Sequence, residues 1–173
     1  MTSVVSGQHD TNDSTGTDDE EIIIHHKSSH YLRIAAFLGH TLVALDHEGH
    51  RSPIPSWGLD IELWITHKFG IGLHNDVEVL NYVIEINDFE SIEREYPVVI
   101  TLDLLYRPWK NLVLFGGAGM EFEKNEDFVI YRIGIEYEIP FADNWDVCPT
   151  IFHDWRKDAF DTSSIMLGVG YSF

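Results

Sequence analysis

Basic residues are scarce in this chain. Eleven Lys and Arg stand against 29 Asp and Glu, for a formal net charge of −18. Such acidity repels phosphate backbones, so nucleic acid is excluded as a partner. Cysteine is nearly absent: Cys148 alone permits no internal disulfide and fits no zinc pattern. No apolar run reaches the roughly 18 residues that mark a membrane-spanning helix, so that way of crossing is excluded. Residues 1–20 lack the apolar core of a secretion signal and are filled with Ser, Thr, Gly, Asn and Asp instead. Three accounts of that absence stay open: a signal removed from ahead of residue 1, an artificial start at Met1, or a cytoplasmic chain. None of these absences bears on a membrane β-barrel, whose strands alternate and never build a long apolar run.

Residues 1–29 read as a disordered acidic arm. Asp10, Asp13, Asp18, Asp19, Glu20 and Glu21 all precede the first basic residue, Lys27. A charged segment with few large apolar groups cannot offset its own ordering entropy. Residues 30–173 read as one β domain. Eight strand-like segments are expected, at about 31–41, 57–65, 69–78, 97–106, 111–123, 128–139, 145–155 and 164–173. Most match the roughly 9–11 residues that a tilted strand needs to cross a bilayer. Connectors at 66–68, 107–110 and 140–144 are tight. Those at 42–56 and 79–96 are long and polar, with a helical turn expected at 86–94. The 156–163 connector is intermediate, and the 124–127 turn is short. Short turns alternating with longer loops fit a barrel with both termini at the periplasmic end.

The strands have two unlike faces. One carries Leu32, Ile34, Leu38, Trp57, Leu59, Ile61, Leu63, Phe69, Ile71, Ile100, Leu102, Leu104, Tyr106, Val129, Tyr131, Ile133 and Ile135, with no charged residue within the spans. The other carries Arg33, Asp60, Glu62, His74, Asp76, Asp103, Glu121, Arg132, Glu136, Asp146 and Asp154 together with most of the glycines. Alternation alone leaves open which face points outward. A soluble lipocalin-like barrel with an apolar ligand would turn the apolar face in, and a membrane barrel would turn it out. Small residues on the charged face suit a narrow eight-strand lumen, and aromatics near strand ends suit interfacial girdles. Both favour the membrane barrel.

The last residues, Ile165-Met166-Leu167-Gly168-Val169-Gly170-Tyr171-Ser172-Phe173, alternate large apolar with small and end on an aromatic. Tyr171 and Phe173 resemble the closing strand of the small eight-stranded bacterial outer-membrane β-barrels, and the resemblance covers about 31–173. It implies an all-β antiparallel up-and-down transmembrane barrel in the cell envelope of a Gram-negative bacterium. It also implies outer-membrane lipids as surroundings, and recognition of Tyr171 and Phe173 by the barrel-assembly machinery. Members of that family include structural anchors, adhesion and resistance proteins, and lipid-modifying enzymes, so the surface ligand stays open.

Three constellations bear on chemistry. Buried charges must be paired, so Arg33, Asp60, Glu62, His74, Asp76, Asp103, Glu121, Arg132 and Glu136 are expected to form a salt-bridged plug without an open pore. Taking 124–127 as a tight turn sets Phe122 opposite Val129 and Arg132 opposite Gly119, with Glu121 and Glu136 as its partners. A turn at 66–68 sets Asp60 opposite His74, and one at 140–144 sets Ile139 opposite Trp145. The histidine clusters His25, His26, His30 and His40, His47, His50 match no tetrahedral spacing, so no metal or other cofactor is expected. Catalysis is the third. His153, Asp154 and Ser163 or Ser164 lie near one rim, but His153 and Asp154 point to opposite faces of one strand. The chain therefore reads as a non-enzyme of structural or surface-interaction role, with a soluble barrel or a lipid-A-modifying enzyme as alternatives.

Overall fold

The computed structural model describes residues 31–44, 51–87, 90–124, 127–157 and 159–173. The expected arm at 1–29, and His25, His26, His30, His47 and His50, lie outside them. Among the described residues eleven strands form: β1 Tyr31–Ala44, β2 Arg51–Trp64, β3 Phe69–Glu78, β4 Asn81–Asn87, β5 Glu90–Glu95, β6 Val98–Trp109, β7 Leu112–Phe122, β8 Phe128–Tyr137, β9 Ile139–Ala142, β10 Trp145–Arg156 and β11 Asp161–Ser172. All pair antiparallel. The order β11-β1-β2-β3-β6-β7-β8-β10 closes on itself through β10–β11, and β9 continues the line of β8 along β10. The result is an eight-stranded up-and-down barrel. Closure leaves no sheet edge unpaired, which a bilayer requires of any strand that crosses it.

The apolar face points outward. Leu38, Leu102, Leu104, Ile133, Ile151 and Leu167 are all exposed, Leu104 at 72%. The charged face points inward, with Arg33, Glu62, Asp103, Glu121, Arg132 and Asp154 buried. This orientation overturns the soluble-barrel alternative, because a water-soluble barrel cannot show such a band to solvent. The lumen is narrow, and glycines on its wall make room for large side chains across it. A Cβ at Gly168 would press on the Phe37 ring and, at 2.8 Å, on Cys148 Sγ; one at Gly170 would sit 2.7 Å from Arg33 Nε.

The turns at 65–68, 110–111 and 143–144 lie at the end that holds Tyr31 and Phe173. Thr66 Oγ1 accepts from the Lys68 and Phe69 amides at 3.2 and 3.0 Å, a local hydroxyl turn. Asn144 takes φ 64°, a left-handed conformation that Asn tolerates in a two-residue hairpin.

Four local expectations are corrected. The 79–96 connector is no polar loop with a helical turn; β4 and β5 pair into a separate hairpin, in register from Asn81–Glu95 to Glu85–Ser91, with a shift before Asn87–Glu90. The 42–56 connector is shorter than expected, because β1 runs on to Ala44 and β2 starts at Arg51 despite Pro53 and Pro55. Both prolines lie beyond the β2–β3 register, which starts at Ser56–Glu78. On that open side a missing N–H costs no ladder bond. The β7–β8 register sets Met120 opposite Val129 and Gly117 opposite Arg132, two residues away from the expected pairing. Ile139 faces Val147 rather than Trp145, again a shift of two. Slips of two leave every side chain on its face, so the inside–outside division survives both.

Candidate functional site: the charged lumen and its mouths

The lumen is built in layers along the barrel axis. At the end with the tight turns, Arg107 donates to Tyr31 Oη at 2.6 Å and to Glu138 Oε1 at 2.5 Å. Its guanidinium lies 3.7 Å from the centre of the Trp64 ring, a cation–π stack. Trp64 is 0% exposed, and its indole donates to Glu62 Oε2 at 2.8 Å. Arg107 was expected in a turn, but β6 runs on to Trp109 and carries Arg107 into the mouth.

The next layer centres on Arg33. Its Nη1 meets Glu62 Oε1 at 2.5 Å and Glu136 Oε1 at 2.9 Å. Its Nε and Nη2 grip Asp146 at 3.1 and 2.6 Å. One forked cation thus serves three carboxylates and grips one of them, Asp146, with two donors, as the planar guanidinium fork allows.

An aromatic layer of Phe37, Phe115 and Phe152 follows. Asp60 sits opposite His74 in the β2–β3 register. His74 makes its own contact with Asp103, 2.9 Å from Nδ1 to Oδ2, and Thr101 Oγ1 donates to the same oxygen at 2.8 Å. A void of about 10 Å³ remains among Phe37, Asp60, His74, Phe115 and Arg132, about the space of one water.

Arg132 does not meet Glu121 or Glu136. Its Nε and Nη2 grip Asp154, both at 2.7 Å, and Nη2 reaches Asp76 at 2.8 Å. Its guanidinium stacks 4.0 Å from the centre of Phe152. The two-residue register shift removes Glu121 from its reach, and Asp154 stands directly opposite it in the β8–β10 ladder.

Glu121 belongs to the last layer, under the opposite mouth. It pairs with Arg94 and with Arg156. Arg156 also donates to Thr162 Oγ1 at 3.0 Å and lies 4.5 Å from the Phe160 ring. Arg94 comes from the β4–β5 hairpin and stacks 5.0 Å from the Phe128 ring. Sequence reading missed Arg94 and Arg156. The first lay in an expected loop, and the second stood one residue past the expected end of its strand, on the inward parity.

Outside the lumen, Tyr171 packs edge-on against Trp145 and Phe173, at 4.9 and 4.8 Å between ring centres. Phe173 is 67% exposed, and its amide donates to Leu32 O at 2.9 Å, next to the seam where β11 meets β1. His40 is exposed on the outer wall near the mouth. No cluster of three or more metal-ligating side chains occurs among the described residues.

No family model matches the chain, and no curated protein matches it in sequence. Solved structures do match in fold. The N-terminal β-barrel domain of Pseudomonas aeruginosa OprF aligns with a TM-score of 0.54 at 15% identity, covering 83% of this chain and 97% of that one. Ail, the attachment invasion locus protein of Yersinia pestis, aligns at 0.54 and 12% identity with the same coverage. The outer-membrane protein OprG of P. aeruginosa aligns at 0.52 and 14% identity, covering 86% and 97%.

The chain has the fold of the small bacterial outer-membrane β-barrels. Its outward apolar band makes lipid the surroundings of the barrel wall, and the fold belongs to the bacterial outer membrane. In such barrels short turns are periplasmic and longer connections extracellular. The Arg107 mouth is the one with the short turns, and the mouth under the β4–β5 hairpin is the one with the longer connections.

Proposed function

We propose that this protein is a sealed outer-membrane barrel that serves as a structural or surface-interaction element, and not as a channel. The observation that carries the reading is the stack of ionic layers. Arg33, Arg132 and Arg156 reach Glu136, Asp76 and Glu78 across the barrel, so side chains cross the lumen at three levels. Breaking one such pair strands a buried charge, at about 3–5 kcal/mol, and opening a conduit requires breaking several at once. The lumenal charges are engaged with one another, which supports a structural rather than a catalytic role for them.

The surface role falls to the β4–β5 hairpin, which stands outside the barrel sheet. Segment 79–96 holds Glu85, Asp88, Glu90, Glu93 and Glu95 against Arg94 alone. Ail has been solved with the heparin analogue sucrose octasulfate; the acidity of this hairpin favours a different, non-anionic partner here. The acidic segment 1–29 would lie on the periplasmic side, and Tyr171 and Phe173 would be read by the barrel-assembly machinery.

Planar-bilayer recording on the refolded protein tests the reading. The expected trace has no conductance steps in molar salt. Stable, reproducible unit steps would replace the sealed barrel with a channel.

A further inference from the structure

On the outer wall, near the rim on the side of the β4–β5 hairpin, four side chains from three strands meet. His153 on β10 stands directly opposite Ser163 on β11, with 2.9 Å between Nδ1 and Oγ. Its other nitrogen, Nε2, lies 3.3 Å from Oδ2 of Asp161, two residues before Ser163 on the same face. Arg51 reaches across from β2, with Nη1 3.2 Å from Ser163 Oγ and Nη2 3.2 Å from Asp161 Oδ2. With its proton on Nε2, the nitrogen beside the Asp161 carboxylate, the His153 ring presents Nδ1 as an acceptor to the Ser163 hydroxyl. Arg51 donates to the same hydroxyl oxygen. A serine, a base in contact with it and a carboxylate orienting the base make up an activated nucleophile.

The surroundings select the substrate. His153 lies one row deeper than Trp155, which is exposed at the rim, and one row shallower than Ile151 in the apolar band. That is the depth at which headgroup gives way to hydrocarbon, where the acyl esters of outer-leaflet lipids lie. From Ser163 a single row of paired residues runs through His153, Ile133 and Gly116 to Leu104. Gly116 leaves a dent in it, and an apolar groove of about 720 Å³ opens along this wall. In a membrane its apolar lining would take a lipid chain.

We propose that Ser163 and His153 are the nucleophile and base of an esterase site that hydrolyses an ester-linked acyl chain of an outer-leaflet lipid. Ser163 Oγ attacks the ester carbonyl carbon and its proton passes to His153 Nδ1. Arg51 is placed to bind the oxyanion that forms. The C–O ester bond breaks, His153 protonates the departing alkoxide, and the chain stays on Ser163 as an acyl ester. Water then attacks that carbonyl, giving up its proton through His153. The acyl group leaves as a carboxylic acid, and Ser163 regains its hydroxyl. Asp161 is a positioning residue. The proposal rests on the membrane placement of the wall and not on the sealed lumen, so the conductance experiment and this one fail independently.

The test uses the full chain refolded into vesicles of phospholipid alone and of phospholipid with lipopolysaccharide, with mass spectrometry of released fatty acids. Acyl release from one composition is expected and identifies the lipid. A fluorophosphonate probe should label the folded protein in micelles. Ser163→Ala should abolish both signals, and His153→Gln should slow release by roughly 10²–10⁴-fold. Asp161→Asn should lower kcat with KM unchanged, and Asp161→Glu should restore part of it. Ser164→Ala, an inward-facing control bonded to Thr41, should leave both signals intact. No release from either composition together with no labelling overturns the proposal, as does labelling that survives Ser163→Ala.

Discussion

At the scale of single residues, arginine carries the inside of this barrel. Each lumenal arginine serves more than one group, and Arg132 is the cleanest case because its grip on Asp154 is bidentate. Arg132→Met leaves Asp154 and Asp76 buried without their cation. The expected loss is about 3–5 kcal/mol, read as a lower urea midpoint for unfolding in lipid. Adding Asp154→Asn should recover part of it. Adding Glu121→Gln should not, because Glu121 is held by Arg94 and Arg156. A loss of about 0–1 kcal/mol, the size of an exposed pair, would place Arg132 in water. That Arg132 faces inward follows from parity along β8. Which acids meet it depends on the ladder register, and residue spacing could not supply that.

At the scale of elements, the β4–β5 hairpin differs from the rest. Among the described residues its strands pair only with each other; it is joined to the barrel mouth by Arg94, whose side chain is buried between Glu121 and the Phe128 ring, and by Glu95, bridged to Lys124 Nζ at 3.1 Å. Arg94→Ala should loosen the hairpin without unfolding the barrel. Limited proteolysis should then cut within 79–96 faster, while the transmembrane core stays intact; equal cutting of both proteins would show that Arg94 does not hold it. The sequence reads this segment as a polar loop because polarity is what a solvated hairpin and a loop share. Pro53 and Pro55 misled in a similar way. They suggest a loop, yet a strand that outruns its neighbour on one side accepts them.

At the scale of the whole molecule, closure and insertion are one problem. The barrel closes where β11 pairs with β1 from Arg33–Ser172 to Val43–Thr162, and Phe173 extends that seam by one backbone bond to Leu32. If Phe173 is an assembly signal, deleting it should reduce insertion in cells far more than refolding in detergent micelles. Equal losses in both assays would mean that the residue only packs. The exposed band sets a second expectation. The folded chain should stay monodisperse only in detergent or lipid, and a monodisperse folded form in plain buffer would contradict the membrane placement.

Whatever depends on parity can be read from the residues alone. Alternation with period two assigns each residue to a face, and the assignment survives any register slip of two, so the apolar wall and the charged lumen were legible, as were the eight strands of the barrel but not β4, β5 and β9. So was the inward course of Asp154, which separates it from His153. Register, strand ends and closure emerge only in the folded barrel. These set Arg132 against Asp154, bring Arg94 and Arg156 onto Glu121, and fold 79–96 into a hairpin. They also set Ser163 and Asp161 beside His153, on a strand whose start the sequence places too late. Pairing across strands joins residues far apart in the chain, and a shift of two costs nothing in the pattern while changing every partner.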